Sequence, residues 1–71
     1  KDQVESDVRR LIEELPADQK EVLHMRVYQE MSFKEISERT GVSINTALGR
    51  MRYALINLRK VIEKHNIVLT N

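Results

Sequence analysis

The side chains best suited to chemistry are four cations between residues 43 and 60, a stretch that contains no aspartate or glutamate. They are Arg50, Arg52, Arg59 and Lys60. Guanidinium and ammonium groups bind phosphate oxygens through charge-assisted hydrogen bonds. A basic, acid-free segment therefore indicates contact with a phosphate backbone, although its charge alone equally fits a solvated helix face.

Other reactive residue types lack the partners that catalysis or metal binding requires. The chain has no cysteine, and His24 and His65 have no further ligand at metal-binding spacing. None of the serines stands in a Ser-His-Asp arrangement, and the two isolated glycines form no phosphate-binding loop. The sequence therefore predicts a protein that is not an enzyme and that needs no cofactor or metal ion.

Length and composition describe one small globular domain. The 71 residues are 41% hydrophobic and include only two glycines and one proline, so we predict a single domain over residues 1–71. Charge is uneven: residues 1–30 carry five Lys or Arg against eight Asp or Glu, and residues 31–71 carry seven against three. No apolar run approaches membrane-spanning length. Because the chain begins with Lys1 rather than Met, we expect it to be a fragment of a longer protein.

Helical spacing of apolar residues predicts an all-α, four-helix unit. The first helix covers residues 2–15 and has this apolar face: Val4, Val8, Leu11, Ile12 and Leu15. Pro16 ends that helix and opens the second, which carries Val22, Leu23 and Val27 and runs to about Glu30. Residues 66–71 are too short a segment to assign.

Capping residues mark the last two helices. Ser32 and Glu35 form a capping box at the start of the short third helix, which ends at Thr40 and Gly41. Ser43 caps the fourth helix, the longest, whose apolar stripe is Ala47, Leu48, Met51, Leu55, Leu58 and Ile62. The predicted core is Leu11, Val22, Leu23, Ile36, Val42, Ala47, Met51 and Leu58.

The third and fourth helices fit a helix-turn-helix. Ser37 is small where the two helices would cross, Gly41 makes the turn, and Val42 fills the corner between them. Ala47 and Met51 seat the second helix on the first. Each match is weak alone, but together they favour a DNA-binding helix-turn-helix over a plain helical hairpin.

The segment that contains these residues resembles region 4 of bacterial sigma-70 factors, most closely the extracytoplasmic-function (ECF) type. It runs from Leu15 to Lys60 and reads "LPADQKEVLHMRVYQEMSFKEISERTGVSINTALGRMRYALINLRK". The shared marks are "LP", "EVL", "SFKEIS", "TGVS", "NT" and "GRMRYAL". The resemblance implies a domain whose last helix enters the major groove of the −35 promoter element. It also implies docking on the β flap of RNA polymerase.

Position by position, the resemblance implies DNA contacts along the fourth helix. Asn45, Thr46 and Arg50 would bind phosphates, whereas Leu48, Gly49, Arg52 and Tyr53 match positions that face base edges. Of these, only Arg52 has the reach and paired donors to recognise a guanine. With the helix cap and the remaining cations, the candidate DNA-binding residues are Ser43, Asn45, Thr46, Leu48, Gly49, Arg50, Arg52, Tyr53, Arg59 and Lys60.

Leu48 has two competing interpretations. Relatives often carry Lys or Arg there, and the resemblance puts this position at the groove. Helical periodicity instead assigns Leu48 to the buried stripe. We favour partial burial over contact with a thymine methyl group.

Two other functions compete with the sigma-factor interpretation. A LuxR-type regulator domain shares the four-helix plan, although "LP" and Arg50 favour the sigma family. A sigma-like module that captures an anti-sigma factor without binding DNA is the second, and the acid-free stretch argues against it. The expected partners are duplex promoter DNA, the RNA polymerase core and, as a further candidate, an anti-sigma factor. We expect a monomer in the bacterial cytoplasm.

Overall fold

The computed structural model describes residues 2–65, with side chains from Asp7 onward. Within that range there is no strand. The helices are α1 (Asp2–Ile12), α2 (Ala17–Val27), α3 (Phe33–Thr40) and α4 (Ile44–Lys64). The all-α prediction is confirmed, and α4 is the longest helix, with 21 residues. The unassigned residues 66–71 lie outside the described part, as does the side chain of Val4.

The connection between α1 and α2 begins earlier than predicted. α1 ends at Ile12, whereas the apolar spacing predicted an end at Leu15. The N–H groups of Glu13, Glu14 and Leu15 donate to carbonyls three residues back, with N···O distances of 3.3, 3.0 and 3.0 Å. These bonds tighten the backbone into 3₁₀-like turns ahead of Pro16. Pro16 then takes the N-cap position of α2, with an extended ψ of 150°.

α2 also ends early, at Val27 instead of about Glu30, because the backbone reverses direction there. Glu30 has a φ of 56°, in the left-handed region that non-glycine residues rarely adopt. The N–H of Met31 donates to the carbonyl of Met25 at 3.0 Å and closes the helix end. Val27, predicted on the apolar face, is 51% exposed.

Replacing Glu30 by glycine is expected to stabilise the chain by about 1 kcal/mol. Glycine adopts a left-handed φ without the steric cost that any side chain imposes. For a domain of this size, that gain corresponds to a rise of roughly 4–8 °C in the thermal midpoint, measurable by circular dichroism. Gln29→Gly is the matched control. Among residues 2–65, Glu30 is the only non-glycine residue with a positive φ, so glycine relieves no such strain at position 29. Equal midpoints for the two variants would show that Glu30 is not strained.

The predicted caps of α3 and α4 are confirmed. Ser32 Oγ accepts from the N–H of Glu35 at 3.1 Å, and the Ser32 N–H donates to the Glu35 carboxylate at 2.8 Å. At the other end of α3, Gly41 has a φ of 75°. Ser43 Oγ accepts from the N–H of Thr46 at 3.0 Å and begins α4. Local side-chain chemistry therefore sets the bounds of both helices.

Two groups of buried side chains form the core, one along each half of α4. The group along the C-terminal half contains Ile12, Leu15, Leu23 and Ala54. The group along the N-terminal half contains Val22, Met25, Ile36 and Ala47. Met51 packs against both groups. The core is therefore continuous beneath α4, with Met51 at the junction.

Most of the predicted core is confirmed. These predicted residues are buried: Leu11, Val22, Leu23, Ile36 and Ala47. These pack against the buried groups while remaining partly exposed: Val42, Met51 and Leu58.

The predicted apolar stripe of α4 is wrong at Leu48 and Leu55, whose side chains are 44% and 51% exposed. The buried side instead follows Ala47, Met51 and Ala54, and both alanines are 0% exposed. At 100° per residue, Leu48 and Leu55 point about 80–100° away from Ala47, at the border of the core. Small side chains occupy the buried line, whereas hydrophobicity alone favoured the leucines.

Candidate nucleic-acid interface

The turn between α3 and α4 is held by hydrogen bonds that converge on Ser37 and Val42. The Ser37 carbonyl accepts from the N–H groups of Gly41 and Val42, at 2.9 and 3.2 Å. Ser37 Oγ donates to the Val42 carbonyl at 2.5 Å. A Cβ on Gly41 would meet no atom within 4 Å, so glycine is needed here for its φ and not for space. This arrangement fixes α4 relative to α3.

The start of α4 presents hydrogen-bond donors to solvent. Its first turn contains no acidic residue, and the side chains of Asn45 and Thr46 are exposed. Ser43 Oγ lies within hydrogen-bond distance of Thr46 Oγ1, at 3.0 Å. A helix N-terminus with such donors favours an anion.

The exposed face of α4 brings most of the predicted DNA-binding residues together. Asn45, Gly49 and Arg52 lie roughly opposite the buried Ala47 and Ala54 when placed at 100° per residue. These predicted residues are exposed: Ser43, Asn45, Thr46, Leu48, Arg52, Tyr53, Arg59 and Lys60. Tyr53 is 59% exposed, so its ring is available to a partner.

Leu48 is placed differently from our expectation of partial burial. It belongs to an apolar strip on the surface of α4 that also includes Ile44, Leu55 and Ile56, each more than 40% exposed. The reason is the helix register described above, in which Ala47 takes the central buried position. Leu48 is consequently free for contact with an external surface.

Gly49 has no structural explanation in the fold. A Cβ at this position would meet no atom within 4 Å. Glycine inside a helix costs about 1 kcal/mol relative to alanine. Its remaining physical effect is to let another molecule approach the backbone of α4 closely.

The cations of α4 differ in their surroundings. Arg50 Nε lies 3.6 Å from Asp18 Oδ2 of α2, and Arg59 Nε lies 3.3 Å from Glu63 Oε2 one turn along α4. Between residues 7 and 65, Arg52 and Lys60 have no carboxylate within ion-pair distance. Two of the four predicted DNA-binding cations, Arg50 and Arg59, therefore have a counter-charge within the protein.

Sequence reasoning missed the contribution of α2 to this surface. Neither Asp18 nor Gln19 was among the candidate DNA-binding residues. Gln19 Oε1 accepts a hydrogen bond from Asn57 Nδ2 at 2.8 Å, which ties the first turn of α2 to the middle of α4. No local pattern could have shown these contacts, because they join residues far apart in the chain.

Other features of the surface are separate from α4's exposed face. His65 Nε2 lies 2.8 Å from Glu14 Oε2 and links the end of α4 to the turn after α1. A pocket of about 420 Å³ is lined by Met31, Glu35, Glu38 and Arg39, none of them a predicted DNA-binding residue. The part of the chain described has no metal-binding group of three acidic, His or Cys residues.

A search for membrane spans found no helix, within residues 2–65, of sufficient length and apolar character. The family model described as sigma-70, region 4, matches residues 5–55, well over half of the chain. No curated protein and no solved structure matches the chain significantly.

Proposed function

Because the chain belongs to the sigma-70 region 4 family, a family of DNA-binding transcription factor domains, we propose that it binds the −35 element of promoter DNA through α4. The observation that carries this proposal is the exposed face of α4, where Asn45, Gly49 and Arg52 lie together on a helix that is held by a rigid turn. Such a helix fits the major groove of duplex DNA.

Phosphate contacts would come from the start and one edge of the helix. Asn45 and Thr46 are exposed donors at the N-terminus of α4, where the helix dipole favours an anion. Arg50 projects toward α2, so it would meet the backbone on that side of the groove. Arg59 and Lys60 extend the positive surface further along α4, toward its C-terminal end. These contacts position the domain without selecting a sequence.

Base contacts would come from the opposite edge and the centre of the exposed face. Among residues 7–65, no carboxylate lies within ion-pair distance of Arg52. Its guanidinium can therefore pair with guanine O6 and N7. Leu48 is exposed beside it and could contact a thymine methyl group. Tyr53 also matches a base-facing position, and its exposed side chain would alternatively stack on, or hydrogen-bond to, the DNA backbone. Gly49 would allow the groove to lie close to the helix.

The finer identity of the protein is also part of the proposal. We infer an ECF-type sigma factor domain that acts as a monomer in the bacterial cytoplasm and docks on the β flap of RNA polymerase. An anti-sigma factor is a further proposed partner. Family membership favours this assignment over a LuxR-type regulator. The acid-free segment over residues 43–60 supports DNA binding over protein capture alone.

Selection of random duplexes on the 71-residue chain tests the proposal. We expect enrichment of one short motif that the chain occupies as a monomer. Enrichment of a two-fold symmetric site bound by a dimer would favour the LuxR-type alternative. Failure to retain any duplex, with capture of an anti-sigma factor, would favour the interaction module.

Gly49→Ala is expected to separate DNA binding from stability. The substitution removes a helix-interior glycine, so unfolding should become more costly by about 0.5–1 kcal/mol. The added methyl group points into open space in the free protein, yet it would meet DNA that lies against α4. We expect weaker binding to the selected duplex in a fluorescence anisotropy titration. Unchanged affinity in the stabilised variant would remove Gly49 from the interface.

A further inference from the structure

Asp18 is the carboxylate that the tertiary fold brings to the basic surface of α4. Its Oδ2 lies 3.6 Å from Arg50 Nε, and the Asp18 and Arg50 side chains are 52% and 28% exposed. That separation is longer than a hydrogen bond, so the two groups attract by charge without a fixed donor–acceptor geometry. Asp18 therefore offsets part of the positive charge of Arg50 in the free protein and holds its side chain only loosely.

The ion pair between Arg59 and Glu63 differs from the Arg50–Asp18 pair because both of its residues lie on α4. Arg59 and Glu63 are neighbours one turn apart on the same helix, and their side chains are 82% and 64% exposed. Pairs of this type contribute little and are screened by salt. Arg50 is better shielded from solvent, and its partner Asp18 stands on a different helix. The packing of α2 on α4 places Asp18 beside Arg50, so a molecule that contacts Arg50 also meets the Asp18 carboxylate.

We propose that Asp18 competes with DNA phosphate for Arg50 and thereby lowers the affinity of the chain for every duplex. This inference rests on the proposed DNA binding by α4. A phosphate that approaches Arg50 also approaches the Asp18 carboxylate, and the two anions repel. Because the competition involves phosphate and no base, it acts equally on preferred and unrelated sequences. Asp18 sets the strength of backbone binding.

Asp18→Asn is the direct test, since it removes the charge while keeping the shape of the side chain. In anisotropy titrations at low salt, we expect the variant to bind a scrambled duplex about two- to fivefold more tightly. The selected duplex should gain by the same factor, and binding should depend more steeply on salt because Arg50 is released to phosphate. Thermal midpoints of all variants show that each remains folded.

Two further variants identify the cause. Glu21→Gln removes the same charge from the same helix, one turn beyond Asp18, and should change affinity much less. In an Arg50→Ala background, Asp18→Asn should have less than about a 1.5-fold effect, because its target is gone. An equal gain with or without Arg50, or an equal gain from Glu21→Gln, would overturn the proposal in favour of a general charge effect.

Weaker binding by Asp18→Asn would also overturn it, since Asp18 would then hold Arg50 in a binding orientation. These failures are distinct from failure of the proposed function. In each of them the unsubstituted chain still binds duplex DNA. Absence of duplex binding by the unsubstituted chain and by all its variants would overturn both.

Discussion

Met51→Ala is expected to lower the free energy of unfolding by about 2–3 kcal/mol, a large part of the stability of so small a domain. Met51 packs against both buried groups of the core. Truncation leaves a gap at their junction and weakens the packing of α4 on the other helices. The expectation lies in the lower part of the usual range for such truncations because the side chain is only partly buried. Thermal or urea unfolding followed by circular dichroism measures the effect.

Leu48→Ala is the matched control for Met51→Ala. It removes a side chain of similar size from the same helix, but from an exposed position. We expect its unfolding free energy to change by no more than about 0.5 kcal/mol. A larger loss from Leu48→Ala than from Met51→Ala would show that the buried side of α4 is assigned to the wrong residues.

Arg52→Ala should cost about 1–3 kcal/mol in binding to the selected duplex and much less on a scrambled duplex, because a paired guanine contact is lost. Arg50→Ala should instead weaken binding to all duplexes alike and flatten the log–log salt slope by less than about one, because Asp18 offsets part of the Arg50 charge. The two residues lie about 200° apart around the helix, so they meet different parts of the groove. Titrations of both variants against both duplexes separate the two roles.

The outcome for Arg52 decides which residues read bases. Equal losses on the selected and scrambled duplexes would identify Arg52 as a phosphate contact. Base recognition would then pass to Leu48, Gly49 and Tyr53 or to the shape of the DNA. If Arg50→Ala instead reduces the preference for the selected duplex over the scrambled one, Arg50 is the base contact, and the roles assigned to the two arginines are exchanged.

Features governed by neighbouring residues were predictable from the sequence. The capping box of Ser32 and Glu35, the turn at Gly41 and the cap at Ser43 depend on contacts within a few residues. The same holds for the helix-turn-helix as a unit, since Ser37 and Val42 are close in the chain. Such local chemistry leaves a clear signal at fixed spacing. The order and type of all four helices followed from it together with the helical spacing of apolar residues.

Features governed by contacts between distant helices were not predictable in the same way. Helical periodicity assigned Leu48 and Leu55 to the buried stripe of α4, whereas the fold buries Ala54 because the other helices lie close to that side of α4. Likewise, the stretch over residues 43–60 is acid-free in the sequence but not in space, because α2 supplies Asp18. Nothing in the spacing of residues along the chain records which helix α2 will meet.

The two alanines buried along α4 have a consequence for how the domain could acquire new promoter preferences. Ala47, Met51 and Ala54 face the other helices, while the side chains of Arg52 and Tyr53 are exposed. Substitution of the outer side chains of α4 is therefore expected to change the folding free energy little. Under the proposed mode of DNA binding, evolution or an engineer can change the recognised sequence on this side without repacking the core.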